Sequence, residues 1–221
     1  MPLLPHIEIE PATPANATVL ILHGLGASGH DFEPLIPELR LPDSAAVRFI
    51  LPHAHSIPVT INGGYVMPAW YDILAMDLHR TVDEAQLRAS AQATQQFIDR
   101  EIERGIDSRR IIVAGFSQGG AVAFQAALTY PRPLGGLLAL STYLALEPEA
   151  ALRGANQDIP IEIYHGTADS IVAEALGQRS AARLRELGYQ PRYKSYPMEH
   201  SLCMEEVTDI STWLQARLDL A

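Results

Sequence analysis

Apolar and polar positions along the chain alternate between two periodicities. Short apolar runs bounded by turn residues are typical of buried strands, and such runs lie at residues 18–23, 47–51, 110–114, 134–140 and 159–165. Weaker strand patterns lie at residues 6–10 and 191–196. Apolar residues at helical spacing predict helices at residues 83–103, 120–128, 173–187 and 204–218, with an irregular helix at 32–39. Residues 53–77 read as one long loop, and loops of this length in compact domains are usually functional or disordered.

This order of elements predicts an α/β fold with a mainly parallel central sheet and helices on both faces. The length of 221 residues fits a single domain over residues 1–221. Ligands of such sheets bind beyond the carboxyl ends of the strands. We therefore expect the chemistry to lie just after Leu22, Gly115, His165 and Tyr196.

Residues 115–119 (GFSQG) are the most informative stretch of the sequence. A G-x-S-x-G pattern between a buried strand and a helix is typical of a nucleophile elbow, a turn so sharp that only glycine fits two positions either side of the serine. Such a turn exposes the serine hydroxyl to substrate. Ser117 is therefore the predicted nucleophile of a hydrolase.

A serine hydroxyl needs a base that accepts its proton, and hydrolases with this elbow place the three catalytic residues in the order Ser, Asp or Glu, His. Only His165 and His200 follow Ser117 among the histidines. His200 comes just past the last predicted strand and is the predicted general base. His165 ends a strand and reads as a packed residue.

Asp169 is the predicted acid that orients the base. It follows a strand end at the expected edge of the sheet, within residues 165–169 (HGTAD). Asp72 and Asp158 are alternatives for this role, and Asp169 could instead be the N-cap of a helix that follows it.

Two backbone amides are the predicted donors to the oxyanion of the tetrahedral intermediate. The Gln118 amide lies at a helix N-terminus, where free N–H groups favour negative charge. The Leu25 amide lies in the glycine loop 23–26 after an early strand. A plain glycine turn is the alternative interpretation of that loop.

Composition excludes several other functions. The formal net charge of −10 argues against nucleic-acid binding and against an anionic membrane surface. His53 and His55 lack further ligands at metal spacing, and no phosphate-binding glycine motif occurs, so we expect no metal and no cofactor. Cys203, the only cysteine, reads as a buried helix residue; with no visible signal peptide or membrane-spanning run, a cytoplasmic protein without stable membrane insertion is expected.

Four motifs and one loop together resemble the phospholipase/carboxylesterase group of small α/β-hydrolases, which includes acyl-protein thioesterases. They are residues 23–29 (HGLGASG), 115–120 (GFSQGG), 165–169 (HGTAD), 196–200 (YPMEH) and the loop 58–72. The resemblance covers nearly the whole chain. It implies an α/β-hydrolase fold without a large cap domain and with a shallow apolar acyl site.

The resemblance also implies a function. We expect a serine carboxylesterase that acts on short to medium acyl esters, with small-molecule esters or thioesters as substrates. An acyl-protein thioesterase or lysophospholipase acting on long acyl chains is the first alternative, and a non-catalytic binding module is the second. A homodimer is a further expectation. The expected acyl groove is lined by Leu25, Met67, Trp70, Ile73, Leu74 and Val172, whose alternative role is ordinary core or loop packing.

Overall fold

The computed structural model describes residues 3–75, 80–148 and 154–220, and its centre is a mainly parallel sheet. The strands in the described residues are β1 (His6–Ile9), β2 (Ala17–Leu22), β3 (Val47–Pro52), β4 (Ser56–Val59), β5 (Tyr65–Pro68), β6 (Ile111–Phe116), β7 (Gly136–Leu140), β8 (Ile161–Gly166) and β9 (Arg192–Tyr196). Seven of these described strands form the central sheet, in the order β1-β3-β2-β6-β7-β8-β9. β1 pairs antiparallel with β3, and the other neighbours in this sheet are parallel.

Helices cover both faces of the sheet, as the sequence predicts. The described helices are α1 (Leu35–Glu38), α2 (Glu84–Glu103), α3 (Gln118–Leu128), α4 (Glu174–Glu186) and α5 (Met204–Leu218). α2, α3 and α4 pack in one apolar core, and α5 packs in the other. In β6, Ile111 and Val113 face the first core while Ile112 and Ala114 face the second. This two-residue alternation buries both faces of the strand.

Three predictions about local structure differ from the structure in whole or in part. The segment predicted as one loop over residues 53–77 contains the antiparallel hairpin β4–β5, which turns at Gly63 and Gly64, both with positive φ; its last residue, Asp77, lies outside the described residues. The irregular helix at 32–39 is a 3-10 turn, Gly29–Phe32, followed by the short α1. Cys203 is half-buried and directly precedes α5 rather than lying within it.

The described part of the chain contains no helix that is both long enough and apolar enough to cross a bilayer.

Candidate active site

The turn between β6 and α3 places Ser117 in a strained backbone conformation, with φ 53° and ψ −121°. A side chain on Gly115 would put its Cβ 2.3 Å from the carbonyl oxygen of Gly119, and one on Gly119 would meet the Leu22 oxygen at 2.3 Å. Neither position has room for any residue but glycine. The packing thus has the steric features of a nucleophile elbow.

Ser117, His200 and Asp169 form one hydrogen-bonded relay. The Oγ of Ser117 lies 2.9 Å from the Nε2 of His200, and the Nδ1 of His200 lies 2.7 Å from the Oδ2 of Asp169. Because a carboxylate only accepts, the Nδ1–H must donate to Asp169, which leaves Nε2 to accept the serine hydroxyl. This is the tautomer that a general base at Ser117 requires.

Asp169 is held as a carboxylate by its neighbours. Its Oδ1 accepts the N–H groups of Ile171 at 2.9 Å and of Val172 at 2.8 Å. Burial raises the pKa of Asp169, but the hydrogen bonds from His200 and these two amides outweigh burial and hold the pKa below its usual value. The acid therefore stays ionised beside His200 at neutral pH.

The alternative acids lie elsewhere in the structure, whereas the second histidine, His165, lies beside Asp169, with its Nε2 3.6 Å from the Oδ2 of Asp169. Asp72 caps the turn after β4, where it accepts from the N–H of Thr60 at 2.7 Å and from its hydroxyl at 2.5 Å. Asp158 is exposed. His165 is fully buried and its Nε2 lies 2.8 Å from the carbonyl oxygen of Val172. Of these candidates, only Asp169 contacts His200.

The loop after β2 approaches the elbow at Gly24, the residue that precedes Leu25. A Cβ built on Gly24 would lie 3.4 Å from the Cβ of Ser117. The next amide, that of Gly26, donates to the carbonyl of Pro68 at 2.8 Å and ties the loop to the β4–β5 hairpin. The Leu25 and Gln118 amides have no acceptor within the described residues. Both are thus available to an oxyanion beside Ser117.

Sequence reasoning missed the side chain of Gln118, which is nearly fully buried. Its Oε1 accepts the N–H of Trp70 at 2.9 Å, and its Nε2 donates to the carbonyl of Tyr71 at 2.7 Å. The indole Nε1 of Trp70 donates in turn to the carbonyl of His23 at 2.8 Å. The segment after β5 is therefore hydrogen-bonded both to the elbow and to His23, at the start of the glycine loop 23–26. No local pattern in the sequence signals these contacts.

The residues expected to line an acyl groove divide into two sets. Leu25 and Met67 are half-buried, and Leu74 is 46% exposed. Trp70, Ile73 and Val172 are buried core residues with 1–4% exposure. These three offer almost no surface to a substrate, so their burial fits the alternative role of core or loop packing better than the lining of a groove.

The structure also shows where His53 and His55 lie, the two histidines that the sequence analysis considered as metal ligands. The Nδ1 of His53 accepts the N–H of Gly29 at 3.0 Å, and His55 lies beside a cavity behind Trp70. In residues 3–75, 80–148 and 154–220, no cluster of three or more His, Cys, Asp or Glu side chains could hold a metal ion.

Comparison with known proteins places this geometry among named hydrolases. The family described as Phospholipase/Carboxylesterase matches residues 5–218. The acyl-protein thioesterase 1 of Neurospora crassa is 41% identical over 214 residues, which cover 92% of this chain and 87% of that protein. Arabidopsis thaliana SOBER1 superposes with a TM-score of 0.85 at 32% identity, over 92% of this chain and 100% of that one. Acyl-protein thioesterase 2 of Zea mays superposes with a TM-score of 0.82 at 29% identity, over 97% and 99%.

Proposed function

Because the chain belongs to the phospholipase/carboxylesterase family of serine hydrolases, we propose that it hydrolyses acyl thioesters and, more slowly, the matching oxygen esters. Its fold is the α/β-hydrolase fold that the sequence predicts. The observation that carries the proposal is the relay in which Ser117 bonds His200 at 2.9 Å and His200 bonds Asp169 at 2.7 Å.

The proposed mechanism assigns one step to each group. Ser117 attacks the acyl carbonyl while the Nε2 of His200 takes its proton, and Asp169 stabilises the imidazolium that forms. The amides of Leu25 and Gln118 bind the oxyanion. His200 then protonates the departing thiol or alcohol, and the acyl group stays on Ser117. A water molecule, deprotonated by His200, releases the acid and restores the serine.

The preference for thioesters follows the alternative that the sequence analysis kept open. The relatives from Neurospora crassa and Zea mays are named acyl-protein thioesterases, which favours this alternative over a carboxylesterase for short and medium esters. The structure is compatible with an acyl chain beside Ser117, because the half-buried Leu25 lies in the loop that approaches Ser117 at Gly24, and the half-buried Met67 lies next to Gly26 of that loop. The exposed Leu74 is a further apolar residue that we propose for this groove. We infer that the substrate is a protein or peptide carrying an S-acyl cysteine.

The experiment compares pairs of peptides that differ by one atom. One member of each pair carries an acyl group on a cysteine sulfur, and the other carries the same group on a serine oxygen. The acyl chains of the pairs range from acetyl to palmitoyl. Release of the acid is followed by chromatography for the natural chain and for Ser117→Ala. Removing a nucleophile of this kind lowers kcat by roughly 10⁶-fold, so Ser117→Ala should be inactive and still folded.

Four outcomes are distinguishable. Higher kcat/KM for long thioesters than for their oxygen esters supports the proposal. Faster cleavage of short oxygen esters would return the function to a small-molecule carboxylesterase. Turnover that Ser117→Ala retains would refute the nucleophile assignment, and no turnover by the natural chain would favour a binding module.

Three broader expectations stay predictions. We propose a cytoplasmic location, because the single Cys203 excludes an internal disulfide. A homodimer and a single domain over residues 1–221 are also proposed. Sedimentation analysis and limited proteolysis would test the last two.

A further inference from the structure

His23 is a fully buried histidine at the end of β2 whose two ring nitrogens are both bonded to backbone. Its Nε2 lies 3.0 Å from the amide nitrogen of Ala54, and its Nδ1 lies 2.7 Å from the carbonyl oxygen of Gly24. Because the Ala54 amide is a donor, Nε2 must be the unprotonated nitrogen, and Nδ1–H must donate to Gly24. Burial lowers the pKa of His23, which favours this neutral form.

The carbonyl that His23 holds belongs to the same peptide group as the Leu25 amide. A trans peptide is planar, so its C=O and N–H point in opposite directions. Fixing the Gly24 oxygen therefore fixes the direction of the Leu25 N–H. The Ala27 amide bonds the same oxygen at 3.2 Å, and on the other side the Leu25 N–H has no acceptor in the described part of the chain.

We propose that His23 is a positioning residue for the oxyanion hole: through its hydrogen bond to Gly24, it orients the Leu25 N–H toward the oxyanion. The inference rests on the proposed function, which assigns that N–H to the oxyanion. The bonds form one chain from the Ala54 amide through the imidazole to the peptide, and each bond in such a chain strengthens the next. The oriented amide is also a better donor.

The surroundings of the ring restrain it further. The indole of Trp70 packs against the imidazole at 5.0 Å between ring centroids, and its Nε1 bonds the carbonyl of His23 itself. Both peptides on either side of Gly24 are thus held through their carbonyl oxygens by side chains, while the Leu25 N–H has no acceptor among the residues that the structure describes. We therefore expect a substitution of His23 to weaken stabilisation of the transition state and to leave substrate binding nearly unchanged.

Three substitutions at His23 test whether the site needs the hydrogen bond to Gly24 or only a side chain that fills the same space. His23→Leu fills the space without a donor. His23→Asn places an amide nitrogen near the position of Nδ1 and can restore the bond to Gly24, whereas His23→Gln places its nitrogen near the position of Nε2 and cannot. Removing an oxyanion donor costs about 10²- to 10³-fold in kcat. For a misdirected donor we expect a loss of about 10- to 100-fold in His23→Leu and His23→Gln, with KM nearly unchanged and with partial rescue in His23→Asn.

A second readout isolates the oxyanion. An alkyl trifluoromethyl ketone adds to Ser117 and develops the same negative oxygen, whereas the fatty alcohol of the same chain length is neutral and forms no oxyanion. We expect His23→Leu to weaken ketone binding by about the same factor as kcat and to leave binding of the alcohol unchanged. Equal loss for both ligands, or a kcat equal to that of the natural chain, would overturn the inference. If His23→Leu does not fold, the contrast between His23→Asn and His23→Gln decides in the same way.

The Ser117→Ala variant distinguishes this inference from the proposed function. If Ser117→Ala is inactive while His23→Leu is fully active, only the role of His23 fails. If Ser117→Ala keeps its turnover, the proposed function fails first, and the role of His23 fails with it.

Discussion

The side chain of Gln118 offers the sharpest test of how the site is held together. It is 2% exposed, and its two hydrogen bonds fasten the backbone of Trp70 and Tyr71 to the elbow. Methionine has a similar length and fills similar space, but it makes at most weak hydrogen bonds. Gln118→Met therefore removes the two bonds with little change in packing, and the backbone amide proposed for the oxyanion hole is retained.

The expected loss of stability follows from the two backbone groups that the substitution leaves without a partner. The N–H of Trp70 and the carbonyl of Tyr71 would both lose their partner in a buried place. Each unsatisfied buried group costs about 1–3 kcal/mol. We therefore expect Gln118→Met to lower the free energy of unfolding by about 2–6 kcal/mol, a large share of the roughly 5–15 kcal/mol of a typical domain.

The assay is urea unfolding, with Gln125→Met as the matched control. Gln125 lies on the same helix and is 5% exposed, but its buried Oε1 has no partner within the described residues. Replacing it removes a buried amide oxygen that already lacks a partner among the described residues, so the free energy of unfolding should change little or increase. If Gln118→Met costs no more than Gln125→Met, the two bonds do not hold the loop and the reasoning is refuted.

Two further predictions concern packing and charge. Gly119→Ala would force a Cβ to 2.3 Å from the Leu22 oxygen and should destabilise the fold by at least 1–3 kcal/mol; Gly154→Ala, with nothing within 4 Å, is the control, and equal melting temperatures would contradict the steric argument. Burial raises the pKa of Glu206 from 4.5 to about 8. The folded state then keeps a proton that the unfolded state loses, so stability should fall between pH 4.5 and about 8, by at most about 5 kcal/mol. Glu206→Gln should flatten this fall in melting curves, and an unchanged slope would refute it.

Much of the fold could be predicted because its signals are local. The run of residues 110–114 is apolar at every position but the first, since β6 is buried on both faces and needs no polar alternation. The elbow was predictable for a similar reason: a tight turn dictates its own glycines. The spacing of Ser117, Asp169 and His200 then followed from the strand ends that carry them.

The features that sequence reasoning missed depend on contacts between distant segments. The β4–β5 hairpin lies in a proline-rich, uncharged stretch that shows no strand pattern. The pairing of its two strands depends on the turn at Gly63 and Gly64. Trp70 was expected at the surface of a groove, but its backbone N–H and its indole N–H donate to Gln118 and to the carbonyl of His23, and these bonds keep it buried. An aromatic side chain in a loop is equally consistent with either place until those partners are known.

Core packing sets the register of the strands, and the register determines the geometry of the proposed active site. β7 lies between β6 and β8, so Ser117 and Asp169 stand two strands apart, roughly 10 Å in the pairing direction, and the imidazole of His200 bridges the gap with bonds of 2.9 and 2.7 Å. A slip of β8 by one residue would move Asp169 by about 3.3 Å and break the relay. The same slip would turn Ile161 and Ile163 out of their core. The apolar pattern that stabilises β8 therefore also fixes where the acid stands.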